Sequence, residues 1–218
     1  TKLLHQFQEP FDAPKIIAKM KKGKYWHIKR QAYLTSEGNE MTDEQIQAKW
    51  ETNRIVASSR GTLMHFHIEM FMNGAQLHGP YSIEFGYFQQ FYREFMMARG
   101  LVPVRTELSV FHTGLCCAGQ LDLLAKYAGS DSYVILDWKR SKEIKHSNCF
   151  QKMLPPLTHL DQCNFNTYSL QLNLYKYILE SEYDLHVDEL FLAIFHESQE
   201  MPVVLQVSEM PVEVAMII

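Results

Sequence analysis

Asp122, Asp137 and Lys139 raise the first chemical question. Fourteen residues separate Asp122 from the triplet Asp137-Trp138-Lys139. Each acid lies in a run that alternates apolar and polar residues, Gly119-Gln120-Leu121-Asp122-Leu123-Leu124 and Val134-Ile135-Leu136-Asp137-Trp138-Lys139, which is the pattern of a strand. Ala128-Gly129-Ser130-Asp131 lies between them, and Gly-Ser is a favoured two-residue hairpin loop. With Gly129 and Ser130 as that loop, Asp122 falls opposite Asp137 and Gln120 opposite Lys139. Opposed carboxylates on neighbouring strands repel and need a counter-charge. A hard divalent cation held by carboxylates, phosphate and water would provide it. Arg105 and Lys139 forming a structural salt-bridge patch is the alternative.

The preceding turn extends the pattern. With Thr113-Gly114 as its loop, Glu107 faces Gln120 and Arg105 faces Asp122. One sheet face then carries Arg105, Glu107, Gln120, Asp122, Asp137 and Lys139. The other carries Val104, Leu108, Leu121, Leu123, Leu136 and Trp138. Such a cation would be shared with substrate phosphate and water. A buried lysine beside two acids has a pKa open to tuning.

The elements that must hold these residues are also readable. The first 40 residues carry Pro10, Pro14, Gly23 and Gly38 without clear periodicity, and read as an arm. Thr42-Asp43-Glu44-Gln45 is a capping-box pattern, so a helix should run from there to about Ser58. Gly61-Thr62-Leu63-Met64-His65 opens a second helix, and 83–99 a third, closed by Gly100. Its aromatics and Met96-Met97 read as core. Strands follow at 102–112, 116–127 and 132–139, then a helix at 167–181 and strands at 189–196 and 202–207. This order predicts an α/β domain with a mixed central sheet flanked by helices and a helical N-terminal region.

The 218 residues are 46% hydrophobic and 21% charged, enough for one sizeable core. Disordered and collagen-like classes are excluded. No run approaches the roughly 20 apolar residues of a membrane span, so no membrane partner is expected. The chain opens on Thr1 and stops on Met216-Ile217-Ile218, and reads as a domain excised from a longer protein. Cys116, Cys117, Cys149 and Cys163 form no CxxC pair, which argues against a zinc or iron–sulfur site and for a reducing, intracellular setting. Nuclear, mitochondrial and viral settings fit equally.

Net charge is −4, yet cations cluster. Lys15, Lys19, Lys21, Lys22, Lys24, Lys29 and Arg30 occur with no acid among them and with Tyr25, Trp26 and His27 interleaved. Lys139, Arg140, Lys142 and Lys145 form a second cluster. Cations with aromatics can hold phosphates and stack on bases; a solvated basic surface is the plainer alternative. The candidate nucleic-acid contacts are Lys21, Lys22, Lys24, Tyr25, Trp26, Lys29, Arg30, Arg140 and Lys142.

Together these features resemble the PD-(D/E)XK nuclease superfamily, in its RecB-like and lambda-exonuclease-like branch. Gly61-Thr62-Leu63-Met64-His65 resembles the branch's His motif, Gly119-Gln120-Leu121-Asp122 its G-x-x-D, Asp137-Trp138-Lys139 its D-x-K, and Gln171-Leu172-Asn173-Leu174-Tyr175 its Q-x-x-x-Y. The four occur in family order over roughly residues 55–196. The chain departs from the pattern in lacking a proline before Asp122 and a cysteine quartet, so no iron–sulfur cluster is implied.

The resemblance implies a restriction-endonuclease-like core over 41–218, preceded by the basic arm 1–40. It implies one or two Mg²⁺ or Mn²⁺ ions held by His65, Asp122, Asp137 and the Trp138 carbonyl, with His67 as the alternative imidazole. Lys139 would position or deprotonate the attacking water, Glu107 would support the metal or its waters, and Gln171 and Tyr175 would orient Lys139 or the scissile strand. The activity implied is metal-dependent DNA hydrolysis, favouring an exonuclease of replication, repair or recombination with possible partner domains. The rival readings are a nuclease fold that only binds nucleic acid, and a protein-interaction domain of a larger assembly.

Overall fold

A computed structural model describes residues 2–218 as a mixed α/β protein. The segment read as an irregular arm contains α1 (Lys2–His5), α2 (Ala13–Lys22), α3 (Trp26–Lys29) and a 3₁₀ turn over Arg30–Tyr33. Pro14 and Gly23 look like breakers in sequence, but they punctuate the ends of α2. Asp12 caps it by accepting from the Lys15 N–H at 2.9 Å, Pro14 sits in its first turn, and Gly23 closes it. Proline is suited to a helix start because its missing N–H would be unpaired there anyway.

The capping box forms as its residue types require. Gln45 N–H donates to Thr42 Oγ1 at 3.3 Å, and Thr42 N–H donates to Gln45 Oε1 at 2.8 Å. It opens α4 (Asp43–Met72), one helix where two were expected. Gly61 lies inside α4; an interior glycine costs about 1 kcal/mol relative to alanine but does not break a helix. The contacts group residues 2–9 with Gly61–Ile218 in one compact unit, and Pro10–Arg60 in another.

In the larger unit, α5 (Ile83–Phe91) passes into a π-helical turn over Tyr92–Met97. Gly100, at φ +69°, makes the reversal into the sheet. The rest is β1 (Leu101–His112), β2 (Cys117–Tyr127), β3 (Tyr133–Lys139), α6 (Asn164–Glu182), β4 (Val187–Ile194), β5 (Val203–Val207) and α7 (Pro211–Ile217). The sheet order is β1-β2-β3-β4-β5, antiparallel except for β3 with β4. That parallel pair requires a crossover, which α6 supplies. No described helix is long and apolar enough to cross a membrane.

The β2–β3 register is the expected one, with Leu123 opposite Leu136, but that is its last backbone pair toward the acids. The turn also differs. Ser130 N–H donates to Tyr127 C=O at 3.0 Å and Gly129 has φ +83°, so Ala128 and Gly129 are its central residues. The β1–β2 register differs by two. Gln120 pairs with Ser109, Arg105 with Leu124, and the neighbouring pairs bracket Glu107 against Asp122. The connecting loop is Thr113–Cys116, four residues with Cys116 at φ +48°. A two-residue shift keeps side chains on their faces but changes every neighbour.

Two apolar layers sandwich the sheet. On one side Met64 and Ile68 of α4 and Phe85, Phe88 and Phe91 pack on Leu123, Leu136 and Trp138. On the other, Leu172, Tyr175 and Ile178 of α6 pack on Leu121, Leu124 and Ile135. Leu121 thus lies in a different layer from Leu123, and Val104 is 45% exposed where β1 is irregular between Pro103 and Arg105. Met96 is core as expected, whereas Met97 is 61% exposed.

Candidate metal centre

Glu107 of β1, Asp122 of β2 and His65 of α4 converge where the β2–β3 ladder stops. His65 Nδ1 lies 3.4 Å from Asp122 Oδ1 and 3.6 Å from Glu107 Oε1. One ligand atom from each of the three residues lies within 4.8 Å of the other two. Glu107 adopts the left-handed conformation in mid-strand, which costs a non-glycine residue about 1–2 kcal/mol. Its backbone carbonyl accepts from Gln120 Nε2 at 3.2 Å. The imidazole, not Arg105, supplies the charge beside Asp122, since Arg105 is exposed and stands opposite Leu124.

Asp122 also accepts the Trp138 N–H at 2.6 Å. The N–H and C=O of one strand residue point the same way, so the Trp138 carbonyl is directed toward Asp122 as well. Asp137 and Lys139 stand one residue to either side. Lys139 Nζ is 2.6 Å from Asp137 Oδ2, but off the direction of a hydrogen bond, so that buried oxygen is left without a hydrogen-bond partner.

α6 supplies the far wall. Lys139 Nζ donates to Gln171 Oε1 at 3.3 Å, and Gln171 Nε2 donates to the Tyr175 hydroxyl at 3.1 Å. Gln171 and Tyr175 are one helical turn apart, which puts both on one face. Tyr168 completes that face, its ring centroid 4.8 Å from Lys139 Nζ. Gly119 leaves room for the Tyr175 ring: a Cβ there would sit 2.9 Å from the hydroxyl oxygen and collide with the ring. Its spacing of three and seven from Gln171 and Tyr175 puts Tyr168 on that face in sequence too, where an ordinary polar helix face was the plainer reading.

The electrostatics favour a cation. Burial alone would lower the His65 pKa, but the Asp122 and Glu107 carboxylates outweigh it and raise it to about 10. Burial raises the Asp137 carboxyl, Lys139 opposes this and Asp122 adds to it, leaving it at about 6. Burial would lower the Lys139 ammonium, but Asp137 and Asp122 hold its pKa above the usual lysine value.

The donor set fits a divalent cation. It comprises one imidazole and two carboxylates with ligand atoms in mutual reach, while Asp137 Oδ2 is ion-paired with Lys139. Glu107 stands in the cluster with His65 and Asp122, whereas Asp137 is drawn toward Lys139. His67 stays outside, packed against the rings of Phe66, Tyr81 and Phe85.

The candidate nucleic-acid contacts divide. Arg140 is not presented to solvent. Its guanidinium pairs with Glu84 at 2.6 Å and Glu197 at 3.3 Å, and the Arg140 side chain is 7% exposed. Lys142 is exposed. In the smaller unit Lys22, Lys24, Tyr25, Lys29 and Arg30 are exposed. Lys21 is held by Asp43 at 2.7 Å and Glu40 at 3.6 Å, and Trp26 stacks on Tyr33 at 5.7 Å.

No protein-family model matches the chain, and no curated protein matches it. Solved structures do. One is the "Putative exonuclease" from Eubacterium rectale, at 13% identity over 68% of this chain and 59% of that one, with a TM-score of 0.42. Another is SSO0001, at 13% identity over 62% and 52% of the two chains and a TM-score of 0.30. The chain thus spans between half and two thirds of the length of each neighbour.

Proposed function

We propose that the protein is a metal-dependent nuclease of the PD-(D/E)XK type that hydrolyses DNA phosphodiester bonds, working from a strand end. The observation that carries this reading is one continuous arrangement. A His65–Glu107–Asp122 cluster with ligand atoms in mutual reach adjoins an Asp137–Lys139 pair that α6 holds in place.

In this reading His65, Glu107 and Asp122 would hold Mg²⁺ or Mn²⁺, with Asp137 and the Trp138 carbonyl as further candidate donors. Bound there, the ion supplies positive charge against the phosphate oxygens and acidifies water. His65 must first give up its proton, because only neutral imidazole offers Nδ1 as a ligand. Lys139 keeps its charge and meets the negative charge that builds on the phosphate. It is a charge stabiliser and a positioner of the attacking water, since an ammonium held above the usual lysine value is a poor base. Gln171 and Tyr168 restrict where its Nζ can go. The exposed cations of the smaller unit, Lys22, Lys24, Lys29 and Arg30, serve as phosphate contacts, with Tyr25 as a stacking surface.

End-labelled linear DNA and covalently closed circular DNA, incubated with Mg²⁺ or Mn²⁺, test the reading. It expects digestion of the linear substrate, none of the circle, and none of either in EDTA. Nicking of circles would replace the exonuclease by an endonuclease. Inertness on both substrates with either metal would remove the nuclease.

A further inference from the structure

The smaller unit, Pro10–Arg60, holds ten of the 21 Lys and Arg residues but only six of the 25 Asp and Glu. The chain as a whole has a net charge of −4, so positive charge is concentrated here. Four of the six acids are already engaged. Asp12 caps α2, Glu40 and Asp43 hold Lys21, and Glu51 pairs with Arg54. A surface with this imbalance attracts a polyanion.

An aromatic row runs through the same unit. Trp26 stacks on Tyr33, Tyr33 meets Trp50 edge-on at 6.4 Å, and Trp50 meets Phe11 at 6.0 Å with the ring planes tilted by 59°. Trp50 is fixed in orientation, because its indole N–H donates to the Tyr33 hydroxyl at 3.2 Å. Phe11, one residue before the Asp12 cap, is 72% exposed. The two rings wall a pocket of about 480 Å³, completed by Ala13, Gln47, Glu51 and Arg54. A nucleobase needs flat apolar walls and a partner for its donor–acceptor edge. Phe11 and Trp50 meet the first need, and the Gln47 amide meets the second. Cations stand beside the rings. Lys49 Nζ lies 5.6 Å from the Tyr33 ring centroid. The Arg54 side chain is exposed, and its exposed pair with Glu51 is of a weak kind that a phosphate can replace. Bases in a duplex have both faces already covered, so the pocket suits an unpaired one.

We propose that the Phe11–Trp50 pocket binds one base of single-stranded DNA, stacked on the two rings, with Arg54 and Lys49 as contacts to the adjoining phosphates. The Trp50–Tyr33 bond pre-organises the inner wall, so little ordering is needed on binding. This rests on the nuclease reading for its substrate and adds the strand form that the smaller unit takes.

The test uses the full chain in EDTA, where binding is separated from cleavage, with a labelled oligothymidylate and a blunt duplex of equal length at several salt concentrations. Phe11→Ala should weaken oligothymidylate binding by about 5- to 150-fold, the range of one base stack removed. It should leave duplex binding unchanged. The slope of affinity against salt should not change either, since no charge is removed. Phe11→Trp should bind the single strand at least as tightly as the wild type. The oligonucleotide should quench tryptophan emission in the wild type and less in Trp50→Phe. Wild type, Phe11→Ala and Phe11→Trp should melt alike. Equal affinity of Phe11→Ala and wild type for the single strand, or an equal loss on the duplex, overturns the proposal. Absence of oligonucleotide binding also overturns it and leaves the pocket to a protein partner. Phe11-dependent binding without metal-dependent cleavage would remove the nuclease reading and leave the base pocket standing; cleavage without Phe11-dependent binding would do the reverse.

Discussion

The backbone N–H of Trp138 donates to the side chain of Asp122 at 2.6 Å, in the place where a strand partner's carbonyl would be expected. Asp122 therefore has two tasks. One oxygen continues the β2–β3 pairing by side chain, and the other faces His65 at 3.4 Å. The metal cluster and the Asp137–Lys139 strand end are joined through this one carboxylate, which is 8% exposed as a residue. The backbone ladder ends at Leu123 and Leu136, so Asp122 and Asp137 do not face each other as a hydrogen-bonded pair.

His65 has a pKa raised to about 10 from the ordinary histidine value of 6.5. The folded state binds the proton more tightly than the unfolded chain. Without metal, its stabilising contribution is present in full below pH 6.5 and is lost as pH rises toward 10. The melting temperature of wild type relative to His65→Ala, followed in EDTA from about pH 6 to about pH 10, should show an advantage that shrinks across that window. Metal must displace the same proton, so Mn²⁺ affinity should rise with pH. Imidazole suits Mn²⁺ better than Mg²⁺, so His65→Ala should weaken Mn²⁺ binding by calorimetry more than Mg²⁺ binding. His67→Ala should change neither.

Gly119→Ala places a methyl group against the Tyr175 ring. Overpacking of this kind typically costs about 1–3 kcal/mol. The displaced ring should also disturb the Gln171 hydrogen bond that continues to Lys139. Chemical denaturation should show the loss of stability, and Tyr175→Phe should be closer to wild type in stability because it deletes only the hydroxyl. A Gly119→Ala protein with wild-type stability would show that α6 yields at this point.

Charge in the smaller unit should be read out by salt. Changing Lys22, Lys24, Lys29 and Arg30 together to glutamine should flatten the log–log dependence of DNA affinity on salt, by about 0.7–0.9 for each phosphate no longer neutralised. Cleavage on saturating substrate should change much less. An unaltered slope would make this run an ordinary solvated surface.

Much of the arrangement was legible in sequence where local chemistry decides it. The Thr42–Gln45 capping box, Gly100, the α6 crossover and the alternation in β2 and β3 all follow from residue types and spacing. The β1–β2 register did not, because Thr113-Gly114 resembles a two-residue loop while the chain turns through four residues with Cys116 left-handed. That shift of two is what sets Glu107, not Arg105, beside Asp122. Arg140 reads as a surface cation until Glu84 and Glu197, 56 and 57 residues away, are folded onto it. α2 escaped notice because its proline and glycine mark ends, not interruptions. Lys139 donates to Gln171, which in turn donates to Tyr175, and the contact of the Tyr168 ring with Lys139 depends on how α6 packs on the sheet.

The central claim is that the His65–Glu107–Asp122 cluster and Lys139 act together on a phosphodiester. Cleavage of end-labelled DNA with Mn²⁺, compared among wild type, Asp122→Asn and Lys139→Ala, tests it most directly, with circular dichroism and melting to verify each fold. The account predicts digestion by the wild type, and a fall in rate of at least about a hundredfold for each variant while its spectrum is retained. Folded variants that cleave at the wild-type rate, or a folded wild type inert toward DNA with Mn²⁺, would contradict it.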